Sequence, residues 1–271
     1  MMRKIWKSSF FCFFMSVLFA WSLAGCGKEM VGIRNTPVVK VIREWAPSVV
    51  NISTEKTVLL QANPNYKQFG NFFDDFYKDY FLKTQSTMKL KGVGSGVIVS
   101  ESGIIVTNAH VVNMASKVYV IMHDGATYEA MLAAINPKSD LALLKINSAN
   151  KLKPVKLADD VMIGETVVAI GNPLGLENSV SAGVISGLGR KITAQQTGQV
   201  IFDGLIQTDA SINIGSSGGA LLNLEGRLVG INIAVVQGAQ SLGFAVSYDK
   251  IKGILQDYEG YFKKKREEKA H

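Results

Sequence analysis

Histidine and cysteine are scarce in this chain: three and two residues of 271. No cluster of His, Cys, Asp and Glu has metal-ligand spacing, and no glycine-rich phosphate loop is present, so no metal and no cofactor is implied. The apolar stretch from Phe10 to Ala20 is too short for a comfortable membrane span. Charge of one sign is only modestly in excess. The formal net charge is +7, of which Arg3, Lys4 and Lys7 supply three, leaving 7 − 3 = +4 for the rest. That excess does not argue for nucleic acid. Part of it lies in Lys263 to Arg266, a solvated tail or one suited to an anionic membrane surface.

The first 25 residues have the anatomy of a signal peptide, with basic residues ahead of a short apolar stretch. The boundary Leu23-Ala24-Gly25-Cys26 resembles a bacterial lipoprotein signal, in which cleavage before Cys26 exposes that cysteine for acyl chains such as palmitate. Residues 1–25 are then signal and 26–35 linker, and the chain is expected outside the cytoplasm, in the cell envelope, held to a membrane by lipid. An ordinary secreted protein or an uncleaved anchor are the alternatives. Cys12 would leave with the signal and Cys26 would carry lipid, so no structural disulfide is expected.

What the chain does have is Gly215-Ser216-Ser217-Gly218-Gly219 between two apolar runs. A hydroxyl attacks a carbonyl when it is exposed on a tight turn, with backbone N–H groups converging where the oxyanion forms. Glycines on both sides of Ser217 permit such a turn, with Gly215 and Ser217 as the N–H donors. The same cluster is also that of an ordinary turn. A serine nucleophile needs an imidazole base and an orienting carboxylate. His271 lies in a charged tail and His123 in the hairpin signature His123-Asp124-Gly125. His110 follows the β-branched run Gly103 to Ala109 and precedes Val-Val; it is a base or a packed core histidine. Asp140 opens the run to Ile146 after the turn Asn136-Pro137-Lys138-Ser139, as an orienting acid or an exposed turn residue. The order His, Asp, Ser is one of the known triad arrangements.

The motifs Thr107-Asn-Ala-His-Val-Val, Ser139-Asp-Leu-Ala-Leu-Leu-Lys, Ala169-Ile-Gly-Asn-Pro-Leu-Gly, Ser181-Ala-Gly-Val-Ile-Ser-Gly-Leu-Gly-Arg, Gln207-Thr-Asp-Ala-Ser-Ile-Asn and Leu242-Gly-Phe-Ala-Val resemble, in order, those of the HtrA (Deg) family of trypsin-like serine proteases. The resemblance covers about Pro47 to Val246. It implies His110, Asp140 and Ser217 as the triad, and Gly215 and Ser217 as the oxyanion hole. Arg190 and the stretch to about Phe202 are implied to form a loop that sets the active-site conformation. Ser211, six residues before the nucleophile, would lie at the base of the specificity pocket, with Ile212, Ile231 and Ile233 making it narrow and apolar. Cleavage after small or medium apolar residues follows. Ser216 stands where the family usually has Asn, and Ala220 where it often has Pro. The Ser216 departure raises a second reading, an impaired relative kept for binding or chaperone-like work. Unfolded or misfolded envelope proteins are the implied substrates, and a homotrimer is the implied assembly.

The recurring short strands read as an all-β barrel or sandwich, followed by a C-terminal helix, and the resemblance implies two six-stranded antiparallel barrels with the site between them. Thr36-Pro37 reads as the start of a helix to about Trp45, leading into a first strand, Ser48 to Leu60. From Gln61 to Lys91 no strand pattern appears. Asn71 to Phe81 could form a short amphipathic helix, in a loop that is either an insertion or an active-site or subunit contact. Strands recur from Gly92 to Val246, with a crossover near 151–161. The protease domain is thus expected over 36–247, and residues 248–271 as helix and tail, Ser247 capping a helix that packs on the second barrel. The 271 − 246 = 25 residues after Val246 are too few for a PDZ domain, so none is expected within this chain.

Overall fold

Short runs of Val, Ile and Leu broken by Gly, Asn and Pro build strands too brief to stand alone, and closing them into barrels removes the open edges. The computed structural model describes residues 34–57, 89–172, 178–193, 200–213, 215–233 and 242–270. A helix α1 (Pro37–Trp45) starts where expected, with Val39 N–H donating to Thr36 Oγ1 at 3.3 Å. Six strands follow: β1 (Val49–Thr57), β2 (Lys89–Ile98), β3 (Ile104–Thr107), β4 (Lys117–Ile121), β5 (Thr127–Asn136) and β6 (Leu141–Lys145). They close as an antiparallel barrel in the order β1-β2-β3-β6-β5-β4. A second barrel contains β7 (Thr166–Gly171), β8 (Ser179–Thr193), β9 (Val200–Thr208), β10 (Ala220–Asn223), β11 (Leu228–Ile233) and β12 (Gly243–Ser247), in the order β10-β11-β12-β9-β8-β7. Each interior is an aliphatic core, Ile52, Ile105, Val120 and Leu144 among the first set and Val167, Ile185, Leu221 and Val229 among the second.

The segment between β6 and β7 stitches the barrels together. Val155 N–H donates to the carbonyl of Ile98 in β2 (2.9 Å), and Lys156 and Ala158 exchange backbone bonds with Leu228 of β11 (2.8 and 3.0 Å). After β12 the chain turns directly into helix α3 (Tyr248–Ala270), longer than the expected end near Lys263. Its Ile251 and Ile254, one turn apart, are buried. The helix was expected on the second barrel, yet it lies against β5 and β6 of the first as well as β11 and β12 of the second. That explains why β11 is buried throughout and β6 up to Lys145: core covers one face and α3 lies against them too. By contrast β4, open on one side, alternates.

Three boundary expectations change. The first strand begins at Val49, after a 3₁₀ turn at Ala46–Ser48, and its described part ends at Thr57; residues 58–60 lie outside the described residues. Lys89 to Lys91, expected outside any strand, pair with Thr57 to Glu55, because the β1 ladder supplies partners that no local pattern announces. Arg190, expected in a loop, lies in β8 opposite Leu205, and Val200 to Phe202 lie in β9. The ladder continues through register shifts around Gly187 and Gly189, the latter at φ +66°, and such bulges make a strand look like a loop in sequence. The expected helix at Asn71 to Phe81, Cys26 and the signal segment lie outside the described residues.

Candidate active site

β3 is buried along its whole length and delivers its C-terminal end, Thr107-Asn108, to the edge of the first barrel. A single helical turn, α2 (Ala109–Val112), follows and carries His110. The turn before β6 places Asp140 opposite it. Asn136 Oδ1 accepts the N–H groups of Lys138 and Ser139 (3.1 and 3.3 Å), and Asp140 sits at φ +53°, a conformation Asp tolerates better than most residues. Asp140 then receives three consecutive residues. Its carbonyl accepts Asn108 Nδ2 (3.0 Å) and Ala109 N–H (3.1 Å), its Oδ1 accepts His110 N–H (3.0 Å), and its Oδ2 lies 2.7 Å from His110 Nδ1. At 3% exposure such a carboxylate is costly unless hydrogen-bonded, and here both oxygens are. The 2.7 Å contact commits Nδ1 to the acid, so any base chemistry of this ring would run through Nε2.

The turn carrying Ser217 comes from the second barrel. Gly215 and Gly218 have φ of +86° and +84°. Ser216 N–H donates to Asn213 (2.9 Å), Gly219 N–H to Ser216 (2.9 Å), and Gly218 N–H to Asn232 of β11 (3.0 Å). A Cβ at Gly218 would collide with the Ser95 carbonyl, and one at Gly171 would come within 2.8 Å of Ser216 Cα. These glycines let strand and turn backbones touch. Ser216 itself is buried and held through its backbone, so the shorter side chain at this position leaves the turn anchored.

Of the four residues expected at the specificity pocket, Ser211 is exposed and Ile212 half-buried, packing toward Gly243. Ile231 and Ile233 are wholly buried in β11, paired across the ladder with Val246 and Phe244. Arg190 Nε donates to Gln207 Oε1 at 2.9 Å, across the β8/β9 ladder. His123 is exposed in the turn between β4 and β5, apart from this chemistry. Sequence reading assigned no role to Ser95, Asn51, Asn172 or Asn232. Asn51 Nδ2 donates to the Asn172 carbonyl (2.8 Å), and Asn232 Nδ2 to the Ala220 carbonyl (3.0 Å). The available signal was Gly92-Val-Gly-Ser-Gly96, glycines inside a strand, which mark a close backbone approach.

The family described as trypsin-like peptidase domain matches residues 94–231, a span that holds Ser95, His110, Asp140 and Ser217. HhoA of Synechocystis sp. is 40% identical over 224 residues, covering 80% of this chain and 55% of its own length. The periplasmic pH-dependent serine endoprotease DegQ of Escherichia coli is 37% identical over 222 residues, covering 80% of this chain and 47% of its own. The chain thus spans about half the length of these curated relatives. Among solved structures, a variant of the HtrA-type protease AlgW with a tripeptide superposes with a TM-score of 0.62 at 32% identity, covering 81% of this chain and 62% of that one.

Proposed function

The chain belongs to the trypsin-like peptidase family, among its HtrA (Deg) members, and on that footing we propose that it is a serine endopeptidase with His110, Asp140 and Ser217 as its triad. The observation that carries the reading is Asp140 holding both the ring and the main chain of His110. Ser217 Oγ attacks the substrate carbonyl while His110 Nε2 takes its proton, then passes it to the leaving amine; water repeats the cycle on the acyl-enzyme. The N–H groups of Gly215 and Ser217 hold the oxyanion, and the positive φ of Gly215 suits that turn. The substrates are unfolded or misfolded proteins outside the cytoplasm, a location supported by relatives named as periplasmic. A lipid on Cys26 holds the enzyme to the membrane, and it works as a homotrimer. Among the described residues no helix is long and apolar enough to cross a membrane.

The test uses the full chain with a fluorophosphonate probe and a denatured protein. Wild type is expected to be labelled and to cleave, and Ser217→Ala to do neither, since loss of a triad member costs roughly 10⁴ to 10⁶ in rate. A wild type that is unlabelled but keeps unfolded protein from aggregating would instead establish the chaperone-like reading. Ser211 places no charge at the base of the pocket, so cuts are expected after Val, Ala, Ile or Leu, graded because one methylene is worth about 1 to 3 kcal/mol. Predominant cleavage after Arg or Lys, read by mass spectrometry, would contradict the pocket assignment.

A further inference from the structure

The turn that carries Ser217 belongs to the second barrel, yet one residue of the first grips it twice. Ser95, wholly buried on β2, donates its N–H to the Ser217 carbonyl (2.8 Å) and its hydroxyl to the Gly215 carbonyl (2.7 Å). The same hydroxyl accepts Asn172 N–H (2.8 Å). A serine hydroxyl has one proton, and an N–H can only donate, so the Asn172 contact commits that proton to Gly215. Asn172 is itself fixed through its carbonyl by Asn51 of β1 (2.8 Å), and the Ser95 carbonyl accepts Thr107 Oγ1 (2.7 Å). The arrangement is therefore directional and braced from β1, from β3 and from the residue that follows β7.

Ser95 grips the carbonyls of Gly215 and Ser217, the two residues that the endopeptidase reading makes the oxyanion donors. Glycine has no side chain to restrict its backbone, so the orientation of Gly215 at φ +86° depends on bonds from outside. Its C=O shares a peptide plane with Ser216 N–H, which is held by Asn213 (2.9 Å). The Ser95 hydroxyl completes the restraint on that plane. We propose that Ser95 is the positioning residue of the oxyanion hole, a clamp by which the first barrel sets the donor geometry of the second. The inference rests on the serine endopeptidase reading of the same site.

The experiment compares full-chain wild type, Ser95→Ala, Ser95→Cys and Ser48→Ala. Ser48 is equally buried and donates to the Lys153 carbonyl (2.8 Å), so its variant controls for the loss of a buried hydroxyl. Each protein is melted, labelled with a fluorophosphonate, assayed on a fluorogenic unfolded casein and titrated with a dipeptide boronic acid ending in valine, whose adduct has a tetrahedral boron bearing an oxygen in the oxyanion's place. Losing a whole oxyanion donor costs about 10² to 10³ in kcat, so misplacing one is expected to cost roughly 10- to 100-fold. In Ser95→Ala that factor should fall on kcat with KM unchanged, and boronate affinity should weaken in parallel, because the interaction is made only in the transition state. Ser95→Cys, with its weaker donor, should lie between, and Ser48→Ala should match wild type in kcat. If Ser95→Ala does not melt cooperatively, Ser95→Cys decides by the same two quantities. An unlabelled wild type refutes the endopeptidase reading, and the clamp with it. A labelled wild type whose folded Ser95 variants keep full kcat, or lose it in KM alone, refutes the clamp and leaves the endopeptidase standing.

Discussion

Asp140 combines a left-handed backbone with a buried carboxylate, and the two demands restrict what can replace it. Asparagine shares the tolerance for positive φ, so Asp140→Asn should fold with little change in melting temperature while kcat falls about 10⁴-fold, because the amide leaves His110 in the wrong tautomer. Steady-state kinetics beside a melting curve checks both halves. His123→Ala, in an exposed turn, should leave kcat untouched; loss of activity there would unseat His110 as the base. The proposed triad could be picked out of the chain because only three histidines compete and each has a distinct context. Ser95 could not be read in the same way. Its hydroxyl gains meaning only beside Gly215, 120 residues away, once two separately closed barrels meet.

At the level of elements, the strands announced themselves through β-branched runs and turn residues, whereas their ends did not. Lys89 to Lys91 and Arg190 are in strands because a neighbour's backbone is there to pair, which composition does not reveal. Helix α3 was visible as a helix, but its contact with both barrels was not. Ile251→Ala is expected to cost about 2 to 5 kcal/mol, read as a lower denaturant midpoint. The helix is also tied to β9, since Lys250 Nζ donates to the Asp203 carbonyl (2.6 Å) and to its carboxylate. That hydrogen bond, then the charge of Lys250, holds Asp203 below the ordinary carboxylate value. A depressed folded value contributes stability above the unfolded pKa of about 3.9 and loses it as pH falls through the folded one. Lys250→Gln should therefore move the Asp203 titration upward in NMR, with melting at neutral pH changing little because the pair is solvent-screened.

For the whole molecule, the interbarrel bonds of Val155, Ala158, Ser95 and Asn51 predict that residues 41–271 unfold in one step. Calorimetric and van't Hoff enthalpies should agree, and two separable transitions would show that the barrels are independent. The proposed lipid anchor also belongs to this scale. Cys26→Ser should abolish incorporation of labelled palmitate and release the protein to the soluble fraction, since stable anchoring takes two acyl chains or one chain with a second signal. Unchanged fractionation would refute the lipid anchor.

The placement of β12 has a bearing on biosynthesis. A ribosome has delivered His110, Asp140 and Ser217 before it reaches Gly243, but the second barrel is open until Gly243–Ser247 slots between β9 and β11. Ser95 leaves the ribosome well before the turn that it holds, and that turn well before the strand that closes its barrel. Hydrolytic competence would then arrive late and all at once, and a growing or truncated chain would be harmless to its neighbours and to itself.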